Sequence, residues 1–136
     1  MSPNDAKGAD SATVVIADDD PEILKVIRNL MHRRGFKIHE AADGDEAMRL
    51  ILEQEPDLVI LDVMMPGQTG WEVCRSVRES DSLEGTGVIM LTGIGERMNE
   101  LTSPLYGADR YLDKPFEFDD LDTAVTEVLE KRRPPQ

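Results

Sequence analysis

Thr13-Val14-Val15-Ile16-Ala17-Asp18-Asp19-Asp20 decides the fold: a β-branched, apolar run continues without a polar break and stops at three aspartates. Unbroken apolarity over so short a length marks a strand buried on both faces. The pattern recurs down the chain. Leu58-Val59-Ile60-Leu61 stops at Asp62, and Val88-Ile89-Met90-Leu91 stops at Thr92. A last short strand around Tyr111-Leu112 ends at Lys114-Pro115. Phe36–Ala41 differs, because Phe36 and Ile38 alternate with Lys37 and His39 as in a half-exposed edge strand.

Helical periodicity fills the gaps. Pro21 is suited to open a helix whose apolar positions are Ile23, Leu24, Ile27, Leu30 and Met31, and Gly35 closes it. Asp20, just before Pro21, reads as its cap. Asp43-Gly44 breaks the edge strand, and Ala47, Leu50 and Ile51 mark a second helix ending before Pro56. A loop over Met64–Gly70 leads to a helix from about Trp71 to Arg78. Asp81–Gly87 reads as a polar loop, and a weaker helix is expected around Glu96–Tyr106. Leu121, Val125, Val128 and Leu129 define the last helix.

The chain has 136 residues, enough for one domain with a proper core and too few for two. Residues 1–11 lack periodicity and are expected to form a flexible tail, the domain to occupy 12–133, and 134–136 to be a tail or the start of a linker. No apolar run approaches bilayer length, and Met1–Ala12 lacks the apolar stretch of a signal peptide. A single cysteine, Cys74, cannot form an internal disulfide, which points to a reducing cytosol. The net charge of −13 argues against direct nucleic-acid binding, which depends on neutralising phosphates with Lys and Arg.

Strands alternating with helices imply a doubly wound α/β fold, a five-stranded parallel sheet with five helices on its two faces. In such a sheet ligands bind beyond the carboxyl ends of the strands. Asp18, Asp19 and Asp20 follow strand one, Asp62 strand three, Thr92 strand four and Lys114 strand five. Three converging carboxylates would repel unless a cation joined them, and oxygen ligands suit Mg²⁺. A hydroxyl from Thr92 and an ammonium from Lys114 complete a site fit for a phosphoryl group, with one carboxylate as nucleophile. Singly, each residue has a plainer reading as a turn former, a strand end or a solvated charge. Together, at four strand ends, those readings fail.

The segments Val15-Ile16-Ala17-Asp18-Asp19-Asp20, Leu61-Asp62-Val63-Met64-Met65-Pro66-Gly67, Met90-Leu91-Thr92 and Gly107-Ala108-Asp109-Arg110-Tyr111-Leu112-Asp113-Lys114-Pro115-Phe116 resemble the receiver domain of response regulators. The likeness covers roughly Ala12–Arg133, and the Asp62–Thr92 and Thr92–Lys114 separations of 30 and 22 residues match the family's spacing. It implies a flavodoxin-like strand order, 2-1-3-4-5. It implies that Asp62 accepts phosphate from the phosphohistidine of a histidine kinase or phosphotransfer protein. Asp19, Asp62 and the backbone carbonyl of Met64 would bind Mg²⁺, with Asp18 acting mainly through a bound water. Lys114 would pair with Asp62 and then with the phosphoryl group, across a cis Lys114-Pro115 peptide. Thr92 and Tyr111 would be the switch pair that alters binding of a downstream protein or a covalently linked effector domain. Met64 and Ile94 would flank the path of hydrolytic water and set the phosphate's lifetime. On this reading the chain is a cytoplasmic phosphoacceptor with no membrane insertion, and not an enzyme acting on other molecules.

The sequence departs from the family pattern in places. Gly93 stands where alanine is common, which predicts a more mobile following loop, and Pro104 should shorten or kink the weaker helix. Arg110 stands where relatives with DNA-binding output usually have a second aspartate, and Leu121–Glu130 lacks the arginine they use in dimer salt bridges. Two alternatives fit less well. A phosphatase of the haloacid-dehalogenase type needs an acid two residues after its nucleophile, where this chain has Met64. A binding module without phosphorylation would not keep every acidic, Thr and Lys position, and a flavodoxin-like cofactor carrier would need a Ser/Thr/Gly-rich phosphate loop after strand one. His32 and His39 have no partner Cys or His nearby in sequence, which disfavours a metal role.

Overall fold

Five strands form a single parallel sheet: β1 (Thr13–Ala17), β2 (Lys37–Ala41), β3 (Leu58–Asp62), β4 (Gly87–Thr92) and β5 (Arg110–Asp113). Their spatial order is β2-β1-β3-β4-β5, as the resemblance implied. The computed structural model describes residues 12–93 and 107–132. Among these residues there are four α-helices: α1 (Pro21–Arg33), α2 (Gly44–Gln54), α3 (Gly70–Glu79) and α4 (Phe118–Arg132). The helix expected around Glu96–Tyr106, with Pro104, lies outside the described residues. So do Ile94, the loop after Gly93 and both terminal tails.

The lack of polar breaks in the strands has a direct cause. Successive strand residues point to opposite faces, and both faces are covered. Val14, Ile16, Leu58, Ile60, Ile89 and Leu91 pack on one side with Leu24, Ile27 and Met31 of α1 and Leu121, Val125 and Val128 of α4. Val15, Ala17, Val59, Leu61, Val88 and Met90 pack on the other with Ala47 and Ile51 of α2 and Val73, Cys74 and Val77 of α3. β3 and β4 are buried throughout, whereas the edge strand β2 is buried only at Ala41.

Caps fix where the helices begin. The Asp20 carboxylate accepts from the Glu22 amide at 2.9 Å, the capping role its position suggested. Asp43 accepts from the Glu46 amide at 2.7 Å, so α2 starts at Gly44, earlier than its apolar pattern marks it. A side chain at Gly44 would collide with the backbone oxygen of Gln68, so glycine here lets α2 approach the loop after β3. Thr69 and Glu72 form a reciprocal capping box, and α3 starts at Gly70. The Asp81–Gly87 segment is less polar than its sequence suggested. Asp81–Leu83 form a 3₁₀ turn with Leu83 buried, and the buried Thr86 hydroxyl donates to the Pro56 carbonyl at 2.8 Å.

At the amino end of the sheet a second charged cluster holds the fold. The Asp109 side chain is 1% exposed and meets Arg132 Nη2 at 2.7 Å, Arg78 Nη2 at 3.0 Å and Lys131 Nζ at 3.1 Å. It also accepts from the Val88 amide at 2.9 Å. Burial works to raise the Asp109 pKa, but Arg132, the Val88 amide and Lys131 outweigh it and hold the carboxyl below its ordinary range. The last helix runs on to Arg132, beyond the expected Glu130, and the Arg132 guanidinium is engaged by Asp109 within the chain. Arg110 forms an ion pair with Glu127 of the same helix.

Candidate functional site

Strand register brings the polar ends together. Ala17 is matched with Leu61, Leu61 with Met90, and Thr92 with Asp113. Asp18, Asp62, Thr92 and Lys114 therefore emerge together at the carboxyl end of the sheet. Gly70 permits the close approach of α3 there, since a side chain on it would strike the Asp62 carbonyl oxygen. Gly67 turns the intervening loop with φ +76°, a conformation that favours glycine.

Asp18 and Asp62 are buried, at 0% and 5% exposure, while Asp19 faces solvent. Carboxylate oxygens of the three lie within 4.8 Å of one another. Lys114 Nζ bridges the buried pair, 2.9 Å from Asp62 Oδ1 and 3.0 Å from Asp18 Oδ2. Burial pushes the Asp18 carboxyl up despite the Asp20 amide and Lys114, which favour its charged form. Burial works to lower the Lys114 pKa, yet its bonds to Asp62 and Asp18 outweigh this and hold the ammonium above its usual value. One ammonium cannot balance three carboxylates. An all-oxygen donor set with excess negative charge fits a hard divalent cation such as Mg²⁺.

The other expected residues are placed as follows. The Met64 side chain is 57% exposed, two positions beyond Asp62. Thr92 is buried, and its hydroxyl donates to Asp113 Oδ1 at 3.0 Å, with the Leu112 carbonyl 3.5 Å away. Tyr111 is half-buried, its ring centroid 5.8 Å from that of Trp71. The Lys114-Pro115 peptide is cis. Ile94 is outside the described residues. The structure brings Asp18, Asp19, Asp62 and Lys114 together, and it sets Asp113 against Thr92 and Trp71 against Tyr111, two contacts that no sequence motif announced. The Thr92↔Asp113 pairing would have exposed the first, once register is known.

Comparison with known proteins supplies the family. The response regulator receiver domain profile matches residues 14–126. The chain is similar to the transcriptional regulatory protein ResD of Bacillus subtilis, 42% identical over 103 residues, which are 76% of this chain and 42% of that protein. It covers less than half the length of the curated relatives it matches. Among solved structures it resembles the chemotaxis response regulator CheY4 of Vibrio cholerae, with a TM-score of 0.79 and 30% identity over 87% of this chain and 98% of that one. The receiver domain of AraT, a response regulator from Geobacillus stearothermophilus, gives 0.79 and 31% over 88% and 94%. Among the described residues, no helix is long and apolar enough to cross a membrane. Since the family match runs from β1 well into α4, this chain belongs to the response regulator receiver domains, the signalling modules of two-component systems.

Proposed function

We propose that this receiver accepts a phosphoryl group from the phosphohistidine of a histidine kinase or phosphotransfer protein onto Asp62. The observation that carries the reading is Lys114 Nζ within hydrogen-bond reach of both Asp62 and Asp18, beside a third carboxylate, Asp19. An Asp62 oxygen attacks phosphorus, the phosphorus–nitrogen bond breaks, and its electron pair returns to the donor imidazole. Lys114 follows the new charge from the carboxylate to a phosphoryl oxygen. Asp19, Asp62 and the Met64 backbone carbonyl would hold Mg²⁺, with Asp18 acting mainly through a water. Bound there, the cation would neutralise charge on the phosphoryl oxygens.

Thr92 then leaves Asp113 and donates to the phosphoryl group, and Tyr111 turns into the vacated space, a two-state packing change. The domain, residues 12–133, works in the cytoplasm and catalyses only its own phosphorylation and dephosphorylation. Its output goes to a downstream protein or a covalently linked effector rather than to nucleic acid directly. The test is intact-mass analysis after incubation with acetyl phosphate and Mg²⁺. Wild type should gain one phosphoryl group and Asp62→Asn none; equal labelling of the variant would remove Asp62 from this role.

A further inference from the structure

Asp113 closes β5 and stands opposite Thr92 in the last matched pair of the sheet. The Lys114 amide donates to the Thr92 carbonyl at 2.7 Å, which ties the two strands together by backbone at that point. Exchange of partners at Thr92 is thereby confined to its side chain. The hydroxyl has one proton to give, and it gives it to Asp113 Oδ1 at 3.0 Å, the Leu112 carbonyl being longer at 3.5 Å. It cannot serve Asp113 and a phosphoryl oxygen on Asp62 at once. A carboxylate acceptor makes a stronger bond than a neutral one, and Thr92 is 1% exposed, so water competes poorly at the donor end.

We propose that Asp113 is a positioning residue that holds the Thr92 hydroxyl in its unphosphorylated arrangement and so sets the threshold for switching. The proposal rests on the phosphoacceptor reading of Asp62. Every molecule that switches must break this bond, so the carboxylate biases the equilibrium toward the resting state by the strength of that bond. Asp113 is exposed, so replacing it leaves the core intact.

The carboxylate also carries charge, which disfavours an incoming anion whether or not it touches Thr92, and the experiment must separate the two effects. Beryllofluoride, a phosphoryl analogue, is titrated in Mg²⁺ into wild type, Asp113→Ala, Asp113→Asn, Thr92→Ala and the Thr92→Ala/Asp113→Ala double variant, followed by backbone amide resonances. Asp113→Ala should bind about 5–10-fold tighter than wild type, the equivalent of one lost hydrogen bond to a solvent-exposed acceptor in the resting state. Asp113→Asn should fall between the two, about two- to threefold tighter than wild type, because its amide oxygen still accepts the hydroxyl proton but without the charge. In the Thr92→Ala background the Asp113→Ala change should make no difference. An unchanged Asp113→Ala, an Asn variant as tight as the Ala variant, or a gain that persists without the Thr92 hydroxyl overturns the proposal alone. A wild type that takes up no analogue overturns the phosphoacceptor reading, and this proposal with it.

Discussion

Trp71 and Tyr111 meet ring to ring, with centroids 5.8 Å apart and planes tilted by 40°. Trp71 is the single tryptophan of the chain and is 9% exposed, so its emission reports on this contact rather than on bulk solvent. If Tyr111 turns when Asp62 is phosphorylated, indole fluorescence should change in intensity or wavelength. Tyr111→Ala should accept phosphate without that change, and should lose at least the ~0.5–1.5 kcal/mol that such a ring pair contributes. Thr92→Ala should also be phosphorylated without the optical change. Constant emission in wild type, alongside phosphorylation seen by mass, would mean that the ring stays where it is.

The balance of charge at the site sets a prediction for stability. Asp62→Asn removes one of three clustered carboxylates and leaves Lys114 paired with Asp18. The metal-free variant should therefore be more stable than wild type, on the order of 1 kcal/mol. Mg²⁺ should raise the wild-type melting temperature, by the equivalent of about 2.7 kcal/mol at a hundred times its Kd, and raise that of the variant much less. Thermal melts with chelator and with Mg²⁺ decide it. A less stable metal-free variant would show that the Lys114 bridge to Asp62 outweighs the repulsion.

Two buried carboxylates should leave opposite marks on stability against pH. Asp109 is held below the ordinary 3.8, so its contribution is complete above that pH and disappears as pH falls through its lower folded value. Asp18 is held above 3.8, so the metal-free fold is favoured by its protonation and loses that stability as pH rises from 3.8 through the folded value. Urea unfolding between about pH 2.5 and pH 6 should show the first mark vanish in Asp109→Asn and the second in Asp18→Asn. At neutral pH Asp109→Ala should cost roughly 3–5 kcal/mol, because it strands Arg78 and Arg132. Lys131→Ala should cost almost nothing, since that side chain is 62% exposed.

These two carboxylates also mark how far the sequence could be read. Asp18 was legible because it ends an apolar run, and three other runs end in groups that complement it. The strands themselves were legible because burial on both faces leaves no room for polar residues. Asp109 was not, since its partners Arg78, Lys131 and Arg132 are distant in sequence and look like ordinary solvated charges. Asp113 escaped notice for a related reason: its contact with Thr92 follows from the register of β4 on β5, which no local pattern encodes. The start of α3 could have been read from Thr69 and Glu72, whose spacing is that of a capping box, but the apolar period put it at Trp71.

Met64 leads to the last prediction, that the phosphorylated state is long-lived. Loss of phosphate requires a water in line with the bond between phosphorus and the Asp62 oxygen. Met64 lies two residues beyond Asp62 with 57% of its surface exposed, so it stands at the solvent side of the site. The proposed second gate is Ile94, two residues after Thr92. Both side chains are apolar, and neither can hydrogen-bond to an attacking water or orient it as a polar group does in other phosphoryl transfers. A Met64→Asn, Ile94→Glu double variant adds an amide and a carboxylate at the two proposed gate positions. It should lose phosphate roughly tenfold faster, equivalent to one added hydrogen bond of about 1.4 kcal/mol in the transition state. Decay of the purified phosphoprotein in Mg²⁺ measures this directly, and Asp62 labelling should remain intact in the variant. An equal or slower decay would mean that these two side chains do not control access of water to phospho-Asp62.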